Sequence, residues 1–179
     1  MSLKQIATAT VGVSAAQIVF SDIPQTYTDL WLVVSVRSGN GGNGDFSLNF
    51  NTNGSPTNSF RNFQAGAGAT STTQNAFGAT ITVGSVPQAS NSSVFSNTSI
   101  KILDYALTTD KIVFVQDGTN YNATSNGGLA SAAFRVVATA SPITSITLSD
   151  AAVTNFTQNS TATLYGILKG NGGATVTTT

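Results

Sequence analysis

The chain reads as an all-β protein: a single-domain two-sheet sandwich, with jelly roll the preferred topology and an extended arm at each end. Three observations predict this. Apolar residues recur at period two in short runs bounded by Gly, Pro, Asn, Asp and Ser, with no convincing stretch at helical period. Only 8% of the residues are charged, against about a quarter in an ordinary domain. Every acid is Asp, and Ser, Thr, Asn and Gly fill the surface positions that Glu, Lys and Arg would hold on helices. The apolar runs, about eight or nine of them, are separated by turn signals and long crossing loops, which is the spacing of a sandwich or barrel and, at this strand number, of a jelly roll. A length of 179 residues suits one domain with a sizeable core. No fixed-period repeat points to a solenoid or propeller.

Residues 1–16 are rich in Ala, Thr and Val with broken alternation, an arm or edge strand; 17–169 form the sandwich; 170–179 are a second, polar arm. Gln17–Phe20 is a short strand, and Pro24, with no N–H for a ladder, marks a turn or sheet edge. The run Asp29–Arg37 is the most apolar in the chain and predicts the central strand. Leu30, Leu32, Val34 and Val36 share one face, and Trp31 and Val33 make the other half apolar. A glycine-rich turn, Gly39–Gly44, closes it. Phe46, Leu48 and Phe50 then alternate with Ser47, Asn49 and Asn51. After the turn Asn53–Pro56 comes a short strand, Ser59–Phe63. Residues 64–76 read as a loop too poor in large apolar groups to carry a core, the kind that is functional or held by a partner. A strand through Ile81 and Val83 and a loop over 84–93 lead to a long strand, Val94–Leu103. Lys111–Gln116 is apolar on both faces and is ended by Asp117-Gly118. A polar loop over 119–128, a small-residue strand Leu129–Ala138, and the strands Ile143–Leu148 and Thr161–Leu168 complete the order. The predicted core is Leu32, Val34, Phe46, Leu48, Phe50, Ile102, Phe114 and Leu164.

Charge and composition exclude several function classes. The formal net charge is zero, so no electrostatic attraction draws the chain to nucleic acid or an anionic membrane. There is no Cys and no His, so thiol chemistry and the commonest general base and metal ligand are absent. No apolar run approaches the roughly 20 residues of a membrane helix, and the N-terminus has no long apolar segment of the secretory type. A surface with so few charges repels its neighbours little and tolerates close packing in an assembly.

The candidate chemistry is thin. Asp22, Asp29, Asp45, Asp104, Asp110, Asp117 and Asp150 mostly sit at strand ends and turns, where Asp bonds local backbone; a glycosidase pair would need two of them across one bond. Gly41-Gly42-Asn43-Gly44-Asp45 approaches a calcium-binding nonapeptide, but the Asp falls one place early, Phe46 holds the ligand position and there is one copy, so it reads as a turn. Six Asn-x-Ser/Thr sequons, from Asn53, Asn91, Asn97, Asn122, Asn155 and Asn159, are near the number that so Asn- and Thr-rich a chain yields by chance. No cofactor, metal or catalytic residue is expected, and the chain reads as a non-enzyme. Trp31, Tyr27, Tyr105, Tyr121 and Tyr165 are candidates for a sugar-stacking face. Trp31 and Tyr165 lie inside apolar strands, where burial statistics favour core packing. Tyr121, in Thr119-Asn120-Tyr121-Asn122, is an aromatic among polar groups, so Asn120, Tyr121 and Asn122 form the candidate recognition loop.

Two segments, Phe20-Ser21-Asp22-Ile23-Pro24-Gln25-Thr26-Tyr27-Thr28-Asp29-Leu30 with its continuation to Ser38, and Ser160-Thr161-Ala162-Thr163-Leu164-Tyr165-Gly166-Ile167, resemble small β-sandwich virion structural proteins of tailed bacteriophages, including cyanophages. The resemblance implies a capsid decoration (cement) protein that stabilises the shell on the virion surface. Its partners would be the major capsid protein or other virion subunits and further copies of itself, with a trimer favoured. The alternative it implies is a tail-fibre or receptor-binding module that binds a host glycan. It brings no catalytic residues.

Overall fold

The computed structural model describes residues 2–39, 44–51, 57–66, 72–78, 81–87, 93–120, 127–137, 141–150 and 155–169. Within them the chain is all-β. Fourteen strands run in order: β1 (Ser2–Thr10), β2 (Ser14–Ala15), β3 (Gln17–Phe20), β4 (Asp29–Ser35), β5 (Gly44–Phe50), β6 (Thr57–Gly66), β7 (Thr72–Gly78), β8 (Ile81–Val86), β9 (Asn97–Leu103), β10 (Lys111–Asn120), β11 (Gly127–Val137), β12 (Ile146–Asp150), β13 (Phe156–Thr157) and β14 (Thr161–Leu168). They form three antiparallel sheets. The largest has eight strands in the order β1-β14-β4-β9-β10-β11-β6-β7, the second has four in the order β3-β12-β5-β8, and β13 pairs with β2.

Alternation decides which side of each strand is buried. On β4, Leu30, Leu32 and Val34 are fully buried, as is Val36 just beyond the strand. Their registered neighbours Ile100 and Ile102 on β9 and Leu164 and Ala162 on β14 are buried too. Phe46, Leu48 and Phe50 of β5, Ile146 and Leu148 of β12, and Ile18 and Phe20 of β3 supply the facing layer, and both layers belong to one continuous hydrophobic cluster. The two sheets approach most closely where β8 lies against β10. Burying a Leu or Phe in such a cluster stabilises by about 1.5–3 kcal/mol each before chain entropy is charged against it.

Seven of the eight predicted core residues are buried; Phe114 is not, at 45% exposed. β10 carries large apolar residues on both faces, so its pattern alone does not choose a side. The register does: Val113 pairs with Ile102 and Val115 with Ile100, so these two face the core and Phe114 faces out.

The stretch read as a loop over 64–76 is largely strand, since β6 runs to Gly66 and β7 begins at Thr72. Likewise β10 runs past Asp117-Gly118 to Asn120, β11 begins at Gly127, and β8 reaches Val86. Gly, Ala, Ser and Thr give no apolar signal, but a ladder to a preceding strand needs only their backbone groups. Of the two readings of the N-terminal residues, Ser2–Thr10 take the edge-strand one and pair along β14, with a bulge between Gln5 and Ala7. Residues 170–179 lie outside the described residues.

Corners are held by polar side chains. Asn51 sits at positive φ, a conformation Asn tolerates. Its Oδ1 accepts from the backbone N–H of Thr144 at 2.8 Å and of Ser145 at 3.2 Å, while Nδ2 donates to the Pro142 carbonyl at 3.1 Å. Lys111 is fully buried at the foot of β10 and donates to the carbonyls of Leu107 and Thr109, closing the turn between β9 and β10.

Candidate functional site

Among the described residues, the core cluster draws on one face of the eight-stranded sheet. Its outer face carries a row of four consecutive registered positions: Tyr165 on β14 opposite Trp31 on β4, Trp31 opposite Lys101 on β9, and Lys101 opposite Phe114 on β10. Adjacent strands lie about 4.8 Å apart, so the row spans about 14 Å. Trp31 and Tyr165 are half-buried, Lys101 is exposed, and Phe114 is exposed with Ile112 next to it along β10.

The rings are held in place from the side. The Trp31 indole Nε1–H donates to Ser99 Oγ at 2.8 Å, which fixes the orientation of the indole on the sheet. Trp31 and Tyr165 contact each other with centroids 5.8 Å apart and planes tilted by 37°. The Lys101 ammonium lies 5.9 Å from the Trp31 ring centroid, within range of a cation–π attraction. The row beside it is polar on either side of Val33: Thr8 and Thr163 share a hydroxyl–hydroxyl bond of 3.1 Å, Val33 follows on β4, and Ser99 and Gln116 continue the register. Trp31 and Tyr165 were expected in the core. They occupy the outer face instead, because Leu30, Leu32 and Leu164 on the same strands claim the inner one.

The buried carboxylates are scattered and engaged. Asp29 is buried at the start of β4, where it accepts from the Asp104 backbone N–H at 3.0 Å and pairs with Lys169 Nζ at 3.1 Å. The hydrogen bond to Asp29 holds the Lys169 ammonium above its ordinary pKa, against burial, which lowers it. Asp117 is buried and accepts from Thr98 Oγ at 2.5 Å; Asp150, also buried, accepts from Ser38 Oγ at 2.5 Å. Among the described residues no group of three His, Cys, Asp or Glu side chains is placed to hold a metal ion. Of the predicted recognition loop, Asn120 ends β10 with its backbone paired to Gly127, while Tyr121 and Asn122 lie outside the described residues. The Gly-rich segment 40–43 does too; Gly44 and Asp45 start β5.

Sequence reasoning missed the outer-face row because its members come from four separate strands. A signal existed in each strand singly: a large ring on the face opposite a run of aliphatic residues. Only pairing brings those faces into one line. No family model, curated protein or solved structure matches the chain.

Proposed function

We propose that this chain is a non-enzymatic surface subunit of a tailed-bacteriophage particle, acting as a tail-fibre or receptor-binding module that recognises a host glycan. One observation carries the choice of recognition: the ordered aromatic row Tyr165, Trp31 and Phe114 on a solvent-facing sheet. A half-buried Trp–Tyr pair and an exposed Phe on one sheet face are suited to stacking against the C–H faces of sugars, and neighbouring Ser and Thr hydroxyls suit sugar hydroxyls. The phage assignment rests on the two segments that resemble virion proteins. The Asp29–Leu32 portion of the first and the Leu164–Ile167 portion of the second pair directly as β4 and β14, so the resembling residues are structural neighbours and carry two members of the row.

The topology we infer is a jelly roll with one inserted hairpin. Numbering β3, β4, β5, β6, β7, β8, β11 and β12 as eight successive strands, the smaller sheet has the order first, eighth, third, sixth. The larger has second, seventh, fourth, fifth, with β9 and β10 intercalated between second and seventh and with β14 and β1 added beyond the second. That alternation between two sheets is the one two interleaved Greek keys produce.

Capsid decoration, the first reading that the resemblance implies, comes second; it is favoured by the low charge and by exposed Ile112 and Phe114, which a shell subunit could cover. In that reading the partners are the major capsid protein and further copies of this chain, with a trimer favoured. Gold-labelled antibody against this chain, imaged on intact particles, separates the readings. Label at the tail tip is expected. Label spread over the shell would favour decoration, and unlabelled particles would overturn both.

A further inference from the structure

We propose that the outer face binds an acidic glycan, with the sugar rings stacked on Trp31, Tyr165 and Phe114 and a carboxylate or phosphate of the chain paired with Lys101. This rests on the recognition reading above and adds the charge of the ligand.

Lys101 stands in the row with Trp31 on one side and Phe114 on the other. It is exposed, and no carboxylate among the described residues pairs with it. The acid on the same face of β4, Asp29, two residues before Trp31, is already neutralised by Lys169. Among the described side chains this face therefore offers an uncompensated cation, Lys101, flanked by rings. Neutral sugars would use the rings and leave this ammonium facing solvent; an acidic sugar uses both.

Single-stranded nucleic acid would also stack and pair. It needs a track of several cations along its backbone, and a chain with zero net charge and only seven Lys and Arg supplies a poor one. A row running across four paired strands also differs from the grooves and sheet edges that capture peptides. Side-chain preorganisation favours binding, since the indole is already fixed by Ser99 and the ammonium is held near the ring before any ligand arrives.

The test uses the full chain on immobilised polygalacturonate, polysialic acid and alginate, each beside its methyl-esterified, uncharged counterpart. Binding to at least one acidic polymer is expected at least roughly tenfold tighter than to its ester, a difference of about 1.4 kcal/mol, and weaker in higher salt. Lys101→Gln should abolish the preference while retaining residual binding, and Phe114→Ser and Trp31→Phe should weaken both forms. Lys101 and Phe114 are exposed, so these two variants leave the core intact. Equal binding to acid and ester would overturn the acidic ligand and leave glycan recognition standing. Binding unaffected by all three variants would overturn the site, and no binding to any polymer would overturn the proposal and the recognition reading together.

Discussion

Replacing Gly166 with Ala should destabilise the fold through one contact that can be removed independently. Gly166 lies within β14 on the core-facing side, between Tyr165 and Ile167, and pairs with Leu30 of β4. A Cβ built there would meet the Tyr27 ring at 2.3, 2.4 and 2.5 Å. Ordinary contact begins at 3.4 Å, so ring and strand must separate by about 1.1 Å. The glycine is required here by the ring lying flat on the strand and not by backbone conformation. Tyr27 cannot retreat cheaply, because the adjoining Thr28 is tied to β14 through its N–H and its hydroxyl, both donating to the Ile167 carbonyl, at 2.9 and 2.7 Å. Overpacking of this kind costs about 1–3 kcal/mol. In a domain of this size each kcal/mol lowers the melting temperature by roughly 2–4 °C, so a fall of about 2–12 °C is expected in a calorimetric scan. In a Tyr27→Ala background the same glycine substitution should be nearly neutral, and the coupling energy from the double-mutant cycle should be of the order of 1–3 kcal/mol. An equal cost in both backgrounds would refute the steric account, as would a Gly166→Ala chain as stable as the wild type.

Three further outcomes are expected. Leu32→Ala, at a fully buried position, should cost about 2–5 kcal/mol in urea unfolding, whereas Phe114→Ser, at an exposed one, should stay within about 0.5 kcal/mol; comparable costs would mean that the assigned face of β10 is inverted. Tyr105 is fully buried and donates its hydroxyl to the Pro24 carbonyl, and burial raises its pKa above the ordinary 10.0. Because the folded state holds this proton more tightly than the unfolded chain, the contribution is complete below pH 10 and is lost as pH rises through the higher folded value. Tyr105→Phe should therefore lose about 0.5–1.5 kcal/mol at neutral pH and show a shallower loss of melting temperature above pH 10; an unchanged alkaline slope would contradict this. Asp150→Ala, which strips the buried Ser38 hydroxyl of its 2.5 Å acceptor, should cost about 1–3 kcal/mol by chemical denaturation, and a neutral effect would show that this hydroxyl finds another acceptor.

The sequence by itself determined the all-β class and most strand positions. Period-two alternation is a local property, and where one side is polar it names the buried side without reference to any neighbour. Phe46, Leu48 and Phe50 are legible for that reason, as are Leu30, Leu32 and Val34 against Ser35 and Arg37. The last strand, Thr161–Leu168, was legible to the residue. Local pattern failed in two physical situations. Where the side chains are small or polar, as at 64–66, 72–76, 119–120 and 127–128, a strand is held by ladder hydrogen bonds to its neighbour, and backbone groups leave no trace in composition. Where both faces are apolar, as on β4 and β10, pattern does not say which rings are covered. The tertiary structure decided that by register: pairing Val113 and Val115 with Ile102 and Ile100 turned Phe114 outward, and pairing β14, β4, β9 and β10 aligned Tyr165, Trp31, Lys101 and Phe114. These four residues are separated by up to 134 positions in the chain (165 − 31 = 134). Cross-strand order is a non-local choice, made by which strands can share one buried layer, and the outer-face row is its consequence.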